Sequence, residues 1–213
     1  LSIQTNEIVC LVGESGCGKS ITALSIMGLL PADVARVTGG EILYRGQNLL
    51  ELNSRDMRRL RSDEISMIFQ DPITSLDPMF TIGSLLKEVI RSHRQVSRSE
   101  AEKLAVRALE EAQLPDASNR LKSYPHELSG GMRQRVMIAL ATALNPSVLI
   151  ADEPTTALDV TVQAQILESL RMRQRELKMG MLLITHDLAV VAAVADRVAV
   201  MYSGEIVEEA RVN

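Results

Sequence analysis

Aromatic side chains are scarce in this sequence, with two Phe, three Tyr and no Trp among 213 residues. The core must therefore be aliphatic, built from Leu, Ile, Val, Ala and the 10 Met. Cysteine is equally rare. Cys10 and Cys17 alone make neither a disulfide framework nor a metal site, and reduced thiols in a cytosolic protein are the simpler expectation. The long apolar runs, Val136–Leu144 and Leu188–Ala195, fall far short of the roughly 18 residues a membrane span needs, so any contact with a membrane goes through a partner. Positive charge is not in excess. There are 23 Lys and Arg against 27 Asp and Glu, a formal charge of −4, which argues against a dedicated nucleic-acid binder. No basic stretch followed by an apolar one marks a leader. The sequence opens at Leu1 in a strand-like run and closes at Asn213 without a terminal signal, and is expected to be an excerpt of a longer polypeptide.

What is present is ordinary for a globular protein: 46% apolar and 23% charged residues, enough for one domain or one with a smaller insert. Ile8–Val12 reads as a buried strand running into a Gly-rich turn, and a helical pattern follows from Ser20 and ends before Pro31. Glu41–Tyr44 reads as a strand with its turn at Arg45–Asn48, and Ile65–Gln70 as another strand closed by Asp71-Pro72. Ser99–Gln113, with Leu104, Ala108 and Leu109 on its apolar side, and Ser129–Leu144 read as helices. Strand and helix then alternate: Val148–Ala151, Thr161–Met179, Met181–Thr185, Leu188–Val194, Val198–Tyr202. Continuous apolar strands alternating with helices predict an α/β fold with a parallel sheet covered on both faces. The core is expected over about 1–71 and 146–213, with a helical insert over about 72–145.

Gly13-Glu14-Ser15-Gly16-Cys17-Gly18-Lys19-Ser20 matches G-x-x-x-x-G-K-[ST] at every fixed position, between a strand and a helix as that motif requires. Its glycines let backbone N–H groups surround phosphate oxygens, and the helix N-terminus adds partial positive charge. Lys19 would reach the β- and γ-phosphates, and the Ser20 hydroxyl would ligate Mg²⁺. Val148–Ala151 ends in Asp152 and Glu153, carboxylates that are costly to bury unless they hold a metal or a proton. Asp152 is placed to hold Mg²⁺ through a water, and Glu153 to orient or deprotonate the water attacking a γ-phosphate. Ser129 is a good N-cap, and the helix from Gly130 turns unpaired N–H groups outward, a second anion site on one chain.

Leu128-Ser129-Gly130-Gly131-Met132 goes further than a generic nucleotide-binding fold. With it, the sequence resembles the nucleotide-binding domain of an ATP-binding-cassette transporter over essentially its full length. Gln70 is similar to that family's Q-loop glutamine, Ala157-Leu158-Asp159 to its D-loop, and His186 in Ile184-Thr185-His186-Asp187 to its switch histidine. The resemblance implies a P-loop NTPase of RecA-like parallel-sheet core, an inserted helical subdomain and a truncated N-terminal antiparallel β-subdomain. It implies ATP and Mg²⁺ as ligands. Gly13, Glu14, Ser15, Gly16, Cys17, Gly18, Lys19, Ser20 and Ile21 are then expected at the nucleotide, and Ser20, Gln70 and Asp152 at the metal. Lys19, Gln70, Glu153 and His186 are expected to be catalytic. It further implies a head-to-tail dimer with a second cassette, identical or homologous, in which Ser129, Gly130 and Gly131 cap the partner's ATP and Asp159 meets the interface.

Gln70-Asp71-Pro72-Ile73-Thr74-Ser75-Leu76-Asp77-Pro78, Ser25–Pro31 and Ala151–Thr161 are similar to segments of importers of dipeptides, oligopeptides or nickel. That likeness implies an ATPase subunit on the cytoplasmic face of the inner or plasma membrane, beneath permease subunits, served indirectly by an extracellular solute-binding protein and touching no nucleic acid. The alternative is a soluble cassette mechanoenzyme of DNA repair or translation. Such proteins carry long coiled-coil or zinc-bearing inserts, and none is visible here. The aromatic residue on which the family stacks adenine is missing from Leu1–Val12, and Tyr44 lies on the wrong side of the phosphate loop to replace it. His93, His126 and the arginines of Arg55–Arg61 are expected to be structural or solvated.

Overall fold

The strands that read as continuously apolar occupy the centre of the molecule. In chain order the strands among the described residues are β1 (Ile8–Val12), the short pair β2 (Leu43–Tyr44) and β3 (Gln47–Asn48), β4 (Ile65–Ile68), β5 (Val148–Asp152), β6 (Gly180–Ile184), β7 (Arg197–Tyr202) and β8 (Glu205–Arg211). The helices are α1 (Lys19–Ile26), α2 (Ser54–Leu60), α3 (Ile82–His93), α4 (Arg98–Glu111), α5 (Ala117–Arg120), α6 (Gly130–Thr142), α7 (Val160–Leu177) and α8 (Leu188–Val194). The computed structural model describes residues 1–31, 33–71, 75–156 and 158–212, so expectations placed on Pro72, Ile73, Thr74 and Ala157 lie outside the described residues.

The main sheet has the order β4-β5-β6-β1-β7-β8, parallel throughout except for β8, which returns antiparallel to β7. This α/β arrangement puts the C-terminal ends of β4, β5, β6 and β1 along one edge. In an open parallel sheet that edge is where ligands bind. Period-two alternation sorts each strand's side chains onto two faces. Cys10, Ile68, Leu149, Met181 and Leu183 join the helices between Ile82 and Val194 in one core. Leu11, Met67, Ile150, Leu182, Ile184 and Ala199 pack with Ala23 of α1 and with Met27 just after it in the other. Over β1, β4, β5 and β6 both faces are buried, which is why those strands carry no polar alternation.

Capping hydroxyls and carboxylates fix where the helices begin. Thr81, Ser97, Ser129, Asp159 and Asp187 accept from backbone N–H groups at the starts of α3, α4, α6, α7 and α8, each worth about 1 kcal/mol of helix stability. Among the described residues no helix is long and apolar enough to cross a membrane. Cys10 and Cys17 are buried free thiols, and burial aided by Asp196 pushes the Cys10 thiol up to about 12.

Several elements depart from their sequence reading. The β4 ladder stops at Ile68, so Gln70 stands on the segment beyond the strand. Only Leu43–Tyr44 of Glu41–Tyr44 is paired, and Gln47–Asn48, read as turn, is its partner strand. In α4, Ala101, Ala105, Ala108 and Leu109 are buried and Leu104 only half so. β8 was not anticipated, because Glu205, Glu208 and Glu209 give it a charged, exposed edge rather than an apolar run. Arg61 is not a solvated residue of a basic face. Its Nε and Nη2 donate to the carbonyls of Met27 and Gly28 at 2.7 Å each, closing the end of α1.

Candidate functional site

The Gly-rich turn leaves β1 and enters α1, and its glycines are dictated by crowding and by backbone angle. A Cβ at Gly13 would stand 2.2 Å from the Met201 carbonyl oxygen and 2.7 Å from Cys17 Sγ. Gly18, the residue before α1, has φ 110°, a conformation L side chains rarely adopt. The turn between β7 and β8 braces the loop from behind, where the Gly204 N–H donates to the Cys17 carbonyl at 2.9 Å. Glu14, Ser15, Gly16 and Ile21 are exposed, whereas Lys19 is buried. The Lys19 ammonium donates to the carbonyls of Gly13 (2.8 Å) and Glu14 (2.9 Å), so a buried cation is compensated by the loop it crosses. Its charge is held directly over the turn.

β5 delivers Asp152 and Glu153 beside that loop. Asp152 is 4% exposed, and burial, with Glu153 beside it, raises its carboxyl above the usual carboxylate range, while hydrogen bonding from Ser20 and the charge of Lys19 oppose the rise. Its Oδ1 is buried without a hydrogen-bond partner. An orphaned carboxylate oxygen beside a serine hydroxyl is a hard-oxygen donor set that suits Mg²⁺, and so fits that ion.

Glu153 has φ 45°, a strained angle for a side-chain-bearing residue and costing on the order of 1 kcal/mol. The strain aims the carboxylate at three neighbours. Gln70 Nε2 donates to Oε2 at 3.1 Å, Thr156 Oγ1 donates to the same oxygen at 2.9 Å, and His186 Nδ1 lies 3.2 Å from Oε1. Gln70 follows β4, Glu153 follows β5, and His186 follows β6, so three adjacent strand ends supply one cluster. Asp187 anchors the histidine segment by accepting from the Ala189 N–H (2.8 Å) and from Gln163 of α7 (3.1 Å), which together hold its carboxyl below the usual range. Sequence reasoning missed Thr156. Its only local signal is a hydroxyl three residues after a carboxylate, a spacing at which short polar side chains bond locally.

Ser129, Gly130, Gly131 and Asp159 do not join this cluster. They line a hollow of about 600 Å³ with Met132, Leu158 and Val162, between the starts of α6 and α7. Ser129 Oγ accepts from the Met132 N–H at 3.3 Å and Asp159 Oδ1 from the Val162 N–H at 3.0 Å. The chain thus presents a phosphate loop with its carboxylates in one place and an outward helix N-terminus in another. Tyr44 belongs to neither. Its hydroxyl donates to Glu64, which precedes β4, at the opposite edge of the sheet from the phosphate loop.

Comparison with known proteins gives these arrangements a context. The model of the family described as ABC transporter matches residues 1–156. A probable peptide ABC transporter ATP-binding protein of Sinorhizobium fredii is 53% identical over 99% of this chain, and the dipeptide transport ATP-binding protein DppD of Bacillus subtilis is 54% identical over 97%. The chain spans 63% and 62% of the lengths of those two relatives. Among solved structures, a dimeric ATP-binding cassette in a post-hydrolysis state bound to ADP and Pi superimposes with a TM-score of 0.86 at 30% identity, covering 100% of this chain and 88% of that one.

Proposed function

The chain belongs to the ABC transporter family, and from that premise we propose that it binds and hydrolyses ATP to power an importer of dipeptides or oligopeptides. The observation that carries the hydrolytic reading is the convergence of Gln70, Glu153 and His186 at the strand ends beside Lys19 and the phosphate loop. The names of the two relatives support the peptide-importer reading over a soluble mechanoenzyme.

In this reading the backbone N–H groups of Gly13–Ser20 and the Lys19 ammonium hold the β- and γ-phosphates. Ser20, Gln70 and Asp152 would hold Mg²⁺, which when bound offsets negative charge on the phosphates. Glu153 orients the attacking water and accepts its proton, so its carboxylate must be ionised and fixed. The Gln70 and Thr156 donors hold the carboxylate in place and leave it little freedom to turn. His186 bridges from Glu153 towards the γ-phosphate. Phosphoryl transfer of this kind draws most of its rate from positioning and charge neutralisation, which rigid strand ends provide.

The site is half of what it needs. Ser129, Gly130 and Gly131 lie apart from the Glu153 cluster, so we assign them, with Asp159, to the ATP of a second cassette facing this one head to tail. The solved relative is itself dimeric. Met79 and Phe80, which stand exposed just beyond the Gln70 segment, offer permease subunits an apolar surface coupled to the site. The chain would then lie on the cytoplasmic face of the membrane without entering it.

Glu153→Gln is the direct test. Removing the proton acceptor while keeping the shape should leave ATP binding intact and lower turnover by roughly 100-fold or more, in the range of general-base loss, so that a stable ATP-bound pair accumulates in size-exclusion chromatography. Wild-type turnover in that variant would remove Glu153 from its role.

A further inference from the structure

The two glycines after Ser129 are seated on the neighbouring helix. A Cβ at Gly131 would stand 2.7 Å from Val162 Cγ1, and one at Gly130 would stand 3.4 Å from Leu158 Cδ2. Real Cβ atoms are essentially never found as close as the first of these, so the missing side chain at 131 is a socket into which Val162 fits. Val162 is β-branched and in a helix is confined largely to one χ1 rotamer, so it cannot swing away from an added methyl. Its own N–H is fixed by the Asp159 cap, and the same seam is pinned a turn later by Arg135 Nη2 donating to Gln165 Oε1 at 3.3 Å.

We infer that Val162 is a positioning residue: its side chain, lodged over the Cα of Gly131, sets how the start of α6 projects and so places Ser129 for the facing nucleotide. The inference rests on the proposed two-cassette function. Glycine at 131 is then required by the α7 side of α6 within one chain, independently of whatever meets the backbone N–H groups on its outer side. Val162 touches no substrate and acts only through the helix it seats.

The test compares turnover at saturating ATP, and ATP affinity of the separate chain, for the intact protein with its partners and for four variants. Gly131→Ala should lower turnover by roughly 10- to 100-fold, the cost of misplacing a reacting constellation by about an ångström, with ATP affinity of the separate chain unchanged. Val162→Ala should lower it about threefold, because the socket is loosened but not blocked. The double variant Gly131→Ala/Val162→Ala should return to the level of Val162→Ala alone, the added methyl now having room. Val162→Thr, which keeps the shape, should turn over as wild type. A purely destabilising change would lower the unfolding temperature without this split between turnover and affinity. A double variant as slow as Gly131→Ala overturns the inference, as does wild-type turnover in Gly131→Ala. Should Gly131→Ala not fold, equal turnover in Val162→Ala and Val162→Thr overturns it instead. An unmodified assembly that does not hydrolyse ATP overturns the functional reading, and this inference falls with it. Failed rescue beside an active wild type overturns this inference alone.

Discussion

Asp152 is held where a carboxylate is least comfortable. It is 4% exposed and its Oδ1 has no partner, so its native pKa lies above the usual carboxylate value. The native state then holds its proton to higher pH than the unfolded chain does. The contribution of this group to stability is therefore greatest below the unfolded pKa of about 4 and falls as pH rises through the native value. Asp152→Asn removes that cost. The nucleotide-free protein should melt about 2–4 °C higher at pH 7, corresponding to about 1 kcal/mol for a chain of this size, with no such gain at pH 4, while Mg²⁺-dependent ATP turnover is lost. An unchanged or lowered melting temperature at pH 7 would mean the burial is compensated by contacts that the carboxylate alone makes. The fixed spacing of Gly13–Ser20 and the Asp152-Glu153 pair were legible because each is contiguous and chemically unusual. Thr156 and Val162 were not, since their roles depend on where a hydroxyl or a methyl lands after folding, and a Thr or Val in a helix-rich segment carries no such mark.

Elements were legible where burial is uniform. β1, β5 as far as Ala151, and β6 are apolar on both faces because helices cover both, and a buried parallel strand explains such short apolar runs simply. β3 and β8 escaped because one is only two residues long and the other is charged and exposed, although each pairs with the strand just before it. The anchor of the β2–β3 pair is Glu64, whose carboxylate accepts from Tyr44 (2.5 Å) and Ser147 (3.0 Å) and pairs with Arg45 (3.3 Å). The Tyr44 hydrogen bond leads the causes that hold Glu64 below the usual carboxylate range. Here the sign is opposite to Asp152. The stabilisation is fully present above the unfolded carboxylate pKa of about 4.3 and is lost as pH falls through the depressed native value. Tyr44→Phe should cost about 1 kcal/mol at pH 7, and thermal melts of the two proteins should converge in strongly acid solution. A difference that persists undiminished there would assign the effect to ring packing.

At the scale of the whole molecule the proposed function makes the chain two half-sites on one frame, and that division can be tested without knowing the transported solute. Lys19→Ala disables the phosphate loop but leaves the Ser129 end intact; Ser129→Arg does the reverse. If two copies of this chain face each other head to tail, a pair made only of the first variant has no working phosphate loop, and a pair made only of the second has no working cap. Neither should hydrolyse ATP. In a mixed pair, one of the two sites combines the intact loop of the Ser129→Arg chain with the intact cap of the Lys19→Ala chain, and is whole. Random pairing makes half of the dimers mixed, each with one of two sites complete, so mixing should restore about a quarter of the wild-type sites. Turnover in either variant alone would show that the substituted residue is dispensable to the site. Silence on mixing, with both variants folded and the wild-type chain active by itself, would rule out the shared site. Silence of the wild-type chain by itself, relieved by a homologous cassette, would place the second half in a different subunit and move the same complementation to that pair. In that reading the two half-sites are close on one frame: Asp159, which caps α7, follows Glu153 closely in the sequence, and Val162 of the same helix packs on Gly131.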